Sequence, residues 1–473
     1  MKLIYGIKDR PSFGKVIIFA IQQLLAIMAA TLVVPLIIGN GMSPAAALFG
    51  AGVGTLVYLL FTKFRSPVFL GSSFAFLGSM AAAFAGGVSM SLGYLGLILG
   101  AVIAGLVYVI IAIIVKLVGT AWINKLMPAV VIGPTVAIIG LSLAGNAIGD
   151  LTKGEVSKPI IDYVLNLETA IPTVSAVEGT QVLTSPFVAL ACGLVTLIVT
   201  AICATYGKKM VRLIPFVIGI LAGYAVASIF TVIGNIAGND ALKVINFAYI
   251  TDLFKDGVTL NTFITVPDFT FLTAVKGIGE INGTYFATIA VAYAPVAFVV
   301  FAEHIADHKN ISSIIESDLL EDPGLHRTLL GDGVGSMAGA FFGGCPNTTY
   351  GESVGCVAIT GNASVITIFA AAIGAIAISF ISPFVAFVDS IPPCVMGGVC
   401  MALYGFIAVS GLKMIQKVDF EQNRNLFTAS VILIAGIGGL TINFGKVTIT
   451  SIACALILGI ITNIILSRKK TNE

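Results

Sequence analysis

From Val16 onward, apolar runs of about twenty residues follow one another through almost the whole chain, broken by a few glycines, prolines or charges. Wound as a helix, a run of that length matches the roughly 30 Å hydrocarbon core of a bilayer. No water-soluble fold needs so many of them. Of 473 residues, 58% are hydrophobic and only 10% charged, and the mean hydropathy is +1.05. Soluble domains carry about 25% charged residues. The chain therefore reads as an all-α polytopic membrane protein whose solvent is the lipid bilayer. Its net charge of +2 says little about nucleic acid, since the basic residues lie in short connections and not on one face, and no nucleic-acid partner is expected.

Reading the runs against their breaks predicts fourteen crossings, near 16–38, 44–61, 67–84, 92–116, 127–147, 186–205, 213–237, 284–303, 328–343, 346–360, 363–384, 394–411, 426–442 and 447–466. If each run crosses once, the basic clusters all fall on one side. These are Lys2, Lys8, Arg10 and Lys15; Lys63 and Arg65; Lys116 and Lys125; Lys208, Lys209 and Arg212; Lys413, Lys417 and Arg424; and Arg468–Lys470. The positive-inside bias makes that side cytoplasmic, with both termini inside the cell membrane. Val16–Ile38 lacks a small-residue cleavage site and is expected to be a first membrane helix rather than a removed signal. The opposite loops, 149–185 and 238–283, read as external caps without a site. Seven scattered cysteines lack metal-ligand spacing and read as small buried hydrophobes, so no metal, cofactor or disulfide framework is expected.

The chain also looks doubled. A long span, a Gly-rich span and a short polar-interrupted segment, Gly71-Ser-Ser-Phe-Ala-Phe76, are echoed by a span ending at Glu303, a Gly-rich span 331–344 and the segment 346–360. Two halves of seven crossings each would be inverted relative to one another. Matching short or broken segments in two inverted halves point to a transporter's midplane site, here near 71–76 and 346–352. The glycine clusters Gly50–Gly54 and Gly331–Gly339 do not follow soluble strands, so they are read as close helix packing and not as nucleotide loops.

Within Gly344–Gly355, Pro346 removes a backbone donor and Gly351 permits close approach, while Asn347, Thr348, Thr349 and Tyr350 supply polar partners. Glu352 then follows a stretch of extended backbone, and non-helical backbone survives at membrane depth only when buried in protein or lining a wet cavity. Glu303 closes a fully apolar run, and Asp307 shares its face if the helix continues. Two ionised carboxylates so placed repel each other, and one of them is expected to hold a proton. Glu303 and Glu352 offer acceptors for ligand N–H groups, free backbone N–H groups offer donors, and Phe74 or a tyrosine offers a stacking face. A small planar molecule with amide-type donors and carbonyls, such as a nucleobase, fits that inventory.

These residues also carry a family likeness. Asn347-Thr-Thr-Tyr-Gly-Glu352, with Ala302-Glu-His-Ile-Ala-Asp307, Glu321-Asp-Pro-Gly-Leu-His-Arg327, Gly71–Phe76 and Val395-Met-Gly-Gly398, closely resembles the nucleobase–ascorbate transporter (nucleobase:cation symporter-2) family, and within it the bacterial uracil permeases. The resemblance implies fourteen segments in two inverted repeats. It implies a core domain from 1–125 and 284–385, a gate domain from 126–240 and 386–473, and an external loop at 241–283. It further implies uptake of uracil with protons and a homodimer formed through the gate domains. Glu303 and Glu352 would bind uracil, the main chain at Phe74 and Gly351 would contribute, Tyr404 would approach from the gate side, and Ser73, Asn347, Thr348 and Tyr350 would support the site. Glu303 and Asp307 would couple the proton. This chain has Asp307 where some uracil permeases have histidine, and Gln22-Gln23 where many members have Gln-His. Purine-selecting relatives often have an amide in place of Glu352.

The competing readings are a purine or xanthine permease of the same family, and an anion exchanger or channel of the same architecture. The latter would want basic groups at the two short segments, and none is near Ser73 or Glu352. An enzyme is not expected. His304, His308 and His326 lie near the predicted cytoplasmic end of a span and have no nucleophile–base or metal spacing.

Overall fold

The apolar runs wind into helices wherever glycine and proline allow it. A computed structural model describes residues 3–119, 122, 126–166, 173–208, 210–416, 418–444 and 447–467. Lys2, Lys125, Lys209, Lys417 and Arg468–Lys470, used above for topology, lie outside the described residues. In chain order come α1 (Phe13–Ile38), α2 (Pro44–Phe61), strand β1 (Leu70–Ser72), a 3-10 turn (Phe74–Phe76) leading into α3 (Leu77–Ala83), and α4 (Met90–Val118). Then follow α5 (Ala129–Ser142), α6 (Ala144–Leu151), strands β2 (Ser157–Asn166) and β3 (Thr173–Val182), α7 (Pro186–Tyr206), the one-turn α8 (Met210–Leu213) and α9 (Pro215–Ala237). After short turns come α10 (Gly283–Ile315), α11 (Leu325–Gly343), strand β4 (Asn347–Thr349), α12 (Gly351–Thr360), α13 (Val365–Ile378) and α14 (Ser382–Asp389). The chain ends with α15 (Pro393–Ile415), α16 (Asn423–Ile437), the hairpin β5 (Ile442–Phe444) and β6 (Val447–Ile449), and α17 (Ser451–Leu466).

Polar residues at the breaks start the helices. Ser43, Ser89 and Asn282 accept the backbone N–H groups of Ala46, Leu92 and Tyr285 at the starts of α2, α4 and α10. Among the described residues, eight helices are long and apolar enough to cross a membrane. The other apolar helices, Phe74–Ala83, Val365–Ile378, Asn423–Ile437 and Ser451–Leu466, are shorter. The chain is thus a multi-pass helical membrane protein, but not purely α-helical. The runs 67–84 and 346–360 each split into a strand and a short helix, and loop 149–185 forms the β2–β3 hairpin.

The helices pack in two groups. In one, α11 lies against α2 and α4, α10 against α4, and α13 against α1 and α2; in the other, α15 lies against α5, α6 and α7, α9 against α7, and α16 against α5 and α17. Backbone meets backbone in the first group. A Cβ added at Gly50 would strike the Gly339 carbonyl, and one at Gly54 would strike Gly335 and the Asn347 side chain. The glycine clusters are therefore a helix-packing seam between α2 and α11, which brings the backbones together without a hydrophobic driving force in lipid. All seven cysteines are buried and free.

The seam generates a like-for-like test. Gly50→Ala should lower the stability of the detergent-solubilised protein by about 1–3 kcal/mol, because the added methyl meets main chain that cannot rotate away. Gly78→Ala, where an added Cβ meets nothing within 4 Å, should leave the melting temperature unchanged.

Candidate functional site

The two breaks in the helices are paired with each other. β1 and β4 run antiparallel, with Leu70 opposite Thr349, Gly71 opposite Thr348 and Ser72 opposite Asn347. Backbone bonds extend the pairing at both ends: Ser73 N–H donates to Pro346 O at 2.9 Å, and Tyr350 N–H to Phe69 O at 3.3 Å. Extended backbone is thereby satisfied inside a helical protein, as its burial requires.

Side chains from several helices lock the pair in place. Thr55 of α2 accepts Leu70 N–H at 3.0 Å. The Asn347 amide donates to Gly50 O at 3.1 Å, and the Tyr350 hydroxyl donates to Ser72 O at 2.7 Å. Ser353 Oγ accepts from Phe69 N–H at 3.0 Å and from the amide of Gln23, which reaches in from α1. Gly71 must lack a side chain, since a Cβ there would enter the Tyr350 ring.

Each strand ends by opening a helix, at Phe74 and at Gly351, and both openings face one cavity of about 430 Å³. One wall carries Ser73, Phe74, Glu303, Asp307, Thr348, Gly351 and Glu352; the other is mostly apolar and includes Val136, Phe216, Leu403 and Phe406. α10 continues twelve residues past Glu303 to Ile315, so Glu303 and Asp307 do lie one turn apart on a single helix. Asp307 Oδ2 accepts from Thr349 Oγ1 at 2.9 Å, tying α10 to β4. Neither Glu303 nor Glu352 pairs with a cation among the described residues. The hydroxyls of Ser73 and Thr348 are buried and have no hydrogen-bond partner among the described residues. The wall can therefore offer carboxylate acceptors and the N-terminal ends of two helices to one small polar molecule.

Asn347 turns toward α2 and braces the strand pair, a supporting position, whereas one expected residue sits elsewhere. Tyr404 is buried and does not line the cavity; its ring stands edge-on behind Phe74, with centroids 6.1 Å apart. Phe74 covers it.

Sequence reasoning missed a buried polar layer behind the wall. His304 and His308 are not at a helix end but fully buried within α10, with rings stacked at 4.0 Å. His304 Nδ1 lies 2.7 Å from Asp332 Oδ2 and its Nε2 2.9 Å from Thr328 Oγ1, while His308 Nε2 lies 2.7 Å from the Tyr58 hydroxyl. An acid, histidine and hydroxyl in line resemble a hydrolytic triad, yet the Thr328 hydroxyl donates to Leu325 O and is wholly buried. The signal was available: Asp332 stands alone in a Gly-rich helix. A second cavity of about 540 Å³ lies among the loops read as featureless caps, lined by Asp150, Glu155, Asp268 and Asp389. Burial, and then the charge of Asp268, pushes the Asp389 carboxyl up to about 6.

With this geometry in view, the chain matches a permease family model, Xan_ur_permease, over residues 14–444. It is 38% identical to the uracil permease of Bacillus caldolyticus over 98% of this chain and 95% of that one. It is 36% identical to the uracil permease of Bacillus subtilis (strain 168), over 100% and 97%, and 33% identical to that of Escherichia coli (strain K12), over 96% and 92%. The fold is similar to the transmembrane domain of the cyanobacterial bicarbonate transporter BicA, with a TM-score of 0.58, 14% identity and coverage of 97% and 99%. It is also similar to the murine anion transporter Slc26a9 in its inward-facing state, with a TM-score of 0.61, 10% identity and coverage of 97% and 69%.

The lock on the strand pair can be tested alone. Tyr350→Phe keeps the ring against Gly71 but strands the buried Ser72 carbonyl, and should cost about 1–3 kcal/mol in thermal or denaturant unfolding. Unchanged stability would mean that the hydroxyl does not brace the crossing.

Proposed function

The chain belongs to the Xan_ur_permease family of permeases, and from that premise we propose that it imports uracil together with protons across the cytoplasmic membrane, both termini inside. The observation that carries this reading is the wall on which Glu303, Glu352 and Phe74 converge on one cavity. Uracil presents two ring N–H donors and two carbonyl acceptors on a flat ring. Glu303 and Glu352 accept the N–H groups, the N–H groups at the starts of the two broken helices donate to the carbonyls, and Phe74 lies against the ring. A carboxylate that accepts such bonds inside a water-poor pocket contributes more than a neutral acceptor. The relatives named above are uracil permeases, which supports uracil over a purine.

In the proposed cycle, the first packing group, with α10 and α12, acts as the core, and the second, with α5, α7, α9 and α15, as the gate. In this reading the chain crosses fourteen times in two inverted halves, with the β1–β4 crossing at the midplane. A proton on Glu303 or Asp307 together with bound uracil lets the core move against the gate. Loss of that proton to the cytoplasm then weakens uracil binding and releases it. The subunit works within a homodimer joined through its gate domains.

Purified protein in liposomes tests each part. An inside-alkaline pH gradient should drive uracil accumulation; dependence on a sodium gradient alone would refute proton coupling. Excess xanthine should leave uracil uptake unaffected. Glu352→Gln removes the charge while keeping the shape, and should weaken uracil binding by about ten- to a hundredfold, as loss of a charged hydrogen bond does. Titration calorimetry that finds wild-type affinity would remove Glu352 from the site.

A further inference from the structure

We propose that Arg212 is the counter-charge that allows the empty, deprotonated carrier to close its inner mouth and reorient. The inference rests on the proton-coupled reading above. Arg212 lies on α8, the single turn between α7 and α9, and lines the same cavity as Glu303, Asp307 and Glu352. Among the described residues it is the one basic residue of that lining. The carboxylates belong to α10 and α12 of one packing group, and the guanidinium belongs to the connection between two helices of the other. Arg212 is exposed and has no carboxylate partner among the described residues.

The turn sits where the two groups touch. Leu213, beside Arg212, packs on Ala26 of α1 and Cys356 of α12. α12 runs from the strand crossing toward Gly361, whose carbonyl accepts the N–H groups of Ile4 and Tyr5, so this end of the cavity faces the side that carries the N-terminal segment. Closing that mouth draws the two walls together and expels water. A carboxylate left ionised there loses its hydration, at a cost of several kcal/mol unless a cation replaces it. The loaded carrier meets the cost with a proton, whereas the empty carrier has none. A guanidinium stays charged at any working pH and can hold a carboxylate with two parallel N–H bonds. Arg212 therefore serves the return step, acting on the carboxylates and not on uracil.

The test separates the return from the rest of the cycle. In liposomes containing the full chain, exchange of labelled for unlabelled uracil at equal pH never needs the empty carrier to reorient; net uptake driven by a pH gradient does. Arg212→Gln should lower net uptake about tenfold, about 1.4 kcal/mol on the return barrier, while exchange stays within about twofold of wild type. Arg212→Lys, which keeps the charge, should restore most of the net uptake. Equal loss of both activities, or undiminished net uptake, would overturn the proposal. If the wild-type protein exchanges uracil but its net uptake ignores the pH gradient, the proton-coupled reading itself fails and this inference falls with it.

Discussion

Three residues of one strand paired with three of another hold the site together. β1 and β4 are the places where two apolar runs stop being helical, and in lipid such backbone survives only if every N–H and C=O finds a partner. Here each strand satisfies the other, and Ser73 and Tyr350 carry the pairing one residue beyond. The crossing therefore cannot form by halves. Segments about 277 residues apart in sequence, as Gly71 and Thr348 are, must meet for either to be stable, so the fold fixes the geometry of the site and not merely its existence.

The surrounding helices are organised to support that crossing. The glycine seam between α2 and α11 lets Asn347 reach the Gly50 carbonyl and Thr55 reach Leu70. Gln23 and Ser353 join α1 to α12 beneath it. Because the strands end at one cavity, their consequence is functional: helix starts at Phe74 and Gly351, and carboxylates from α10 and α12, converge there. What lies behind the wall, the stacked His304 and His308 with Asp332, is closed to solvent and holds α10 against α11.

Much of this was legible in the chain. Glycine, proline and clustered hydroxyls around Glu352 cannot continue a membrane helix, so an interrupted segment with a carboxylate followed from local chemistry. Glu303 and Asp307 needed only the helical period. Legibility failed where a partner is distant. Nothing local says that Gly71–Ser72 pairs with Asn347–Thr348, or that Gln23 finds Ser353. Tyr404 illustrates the same limit: an aromatic at helical spacing in an apolar span reads alike whether it faces the cavity or, as here, stands behind Phe74. The β2–β3 hairpin was missed because loop 149–185 was weighed by its charge alone.

The central claim is that one small planar ligand occupies the space between the two broken helices. A structure of the protein determined with uracil present tests it most directly. The account predicts a flat ring beside Phe74 with its N–H edges on Glu303 and Glu352 and its carbonyls toward the main chain at Phe74 and Gly351. Uracil found in the second cavity, beside Asp268 and Asp389, with the space between Phe74 and Glu352 filled only by water, would contradict it.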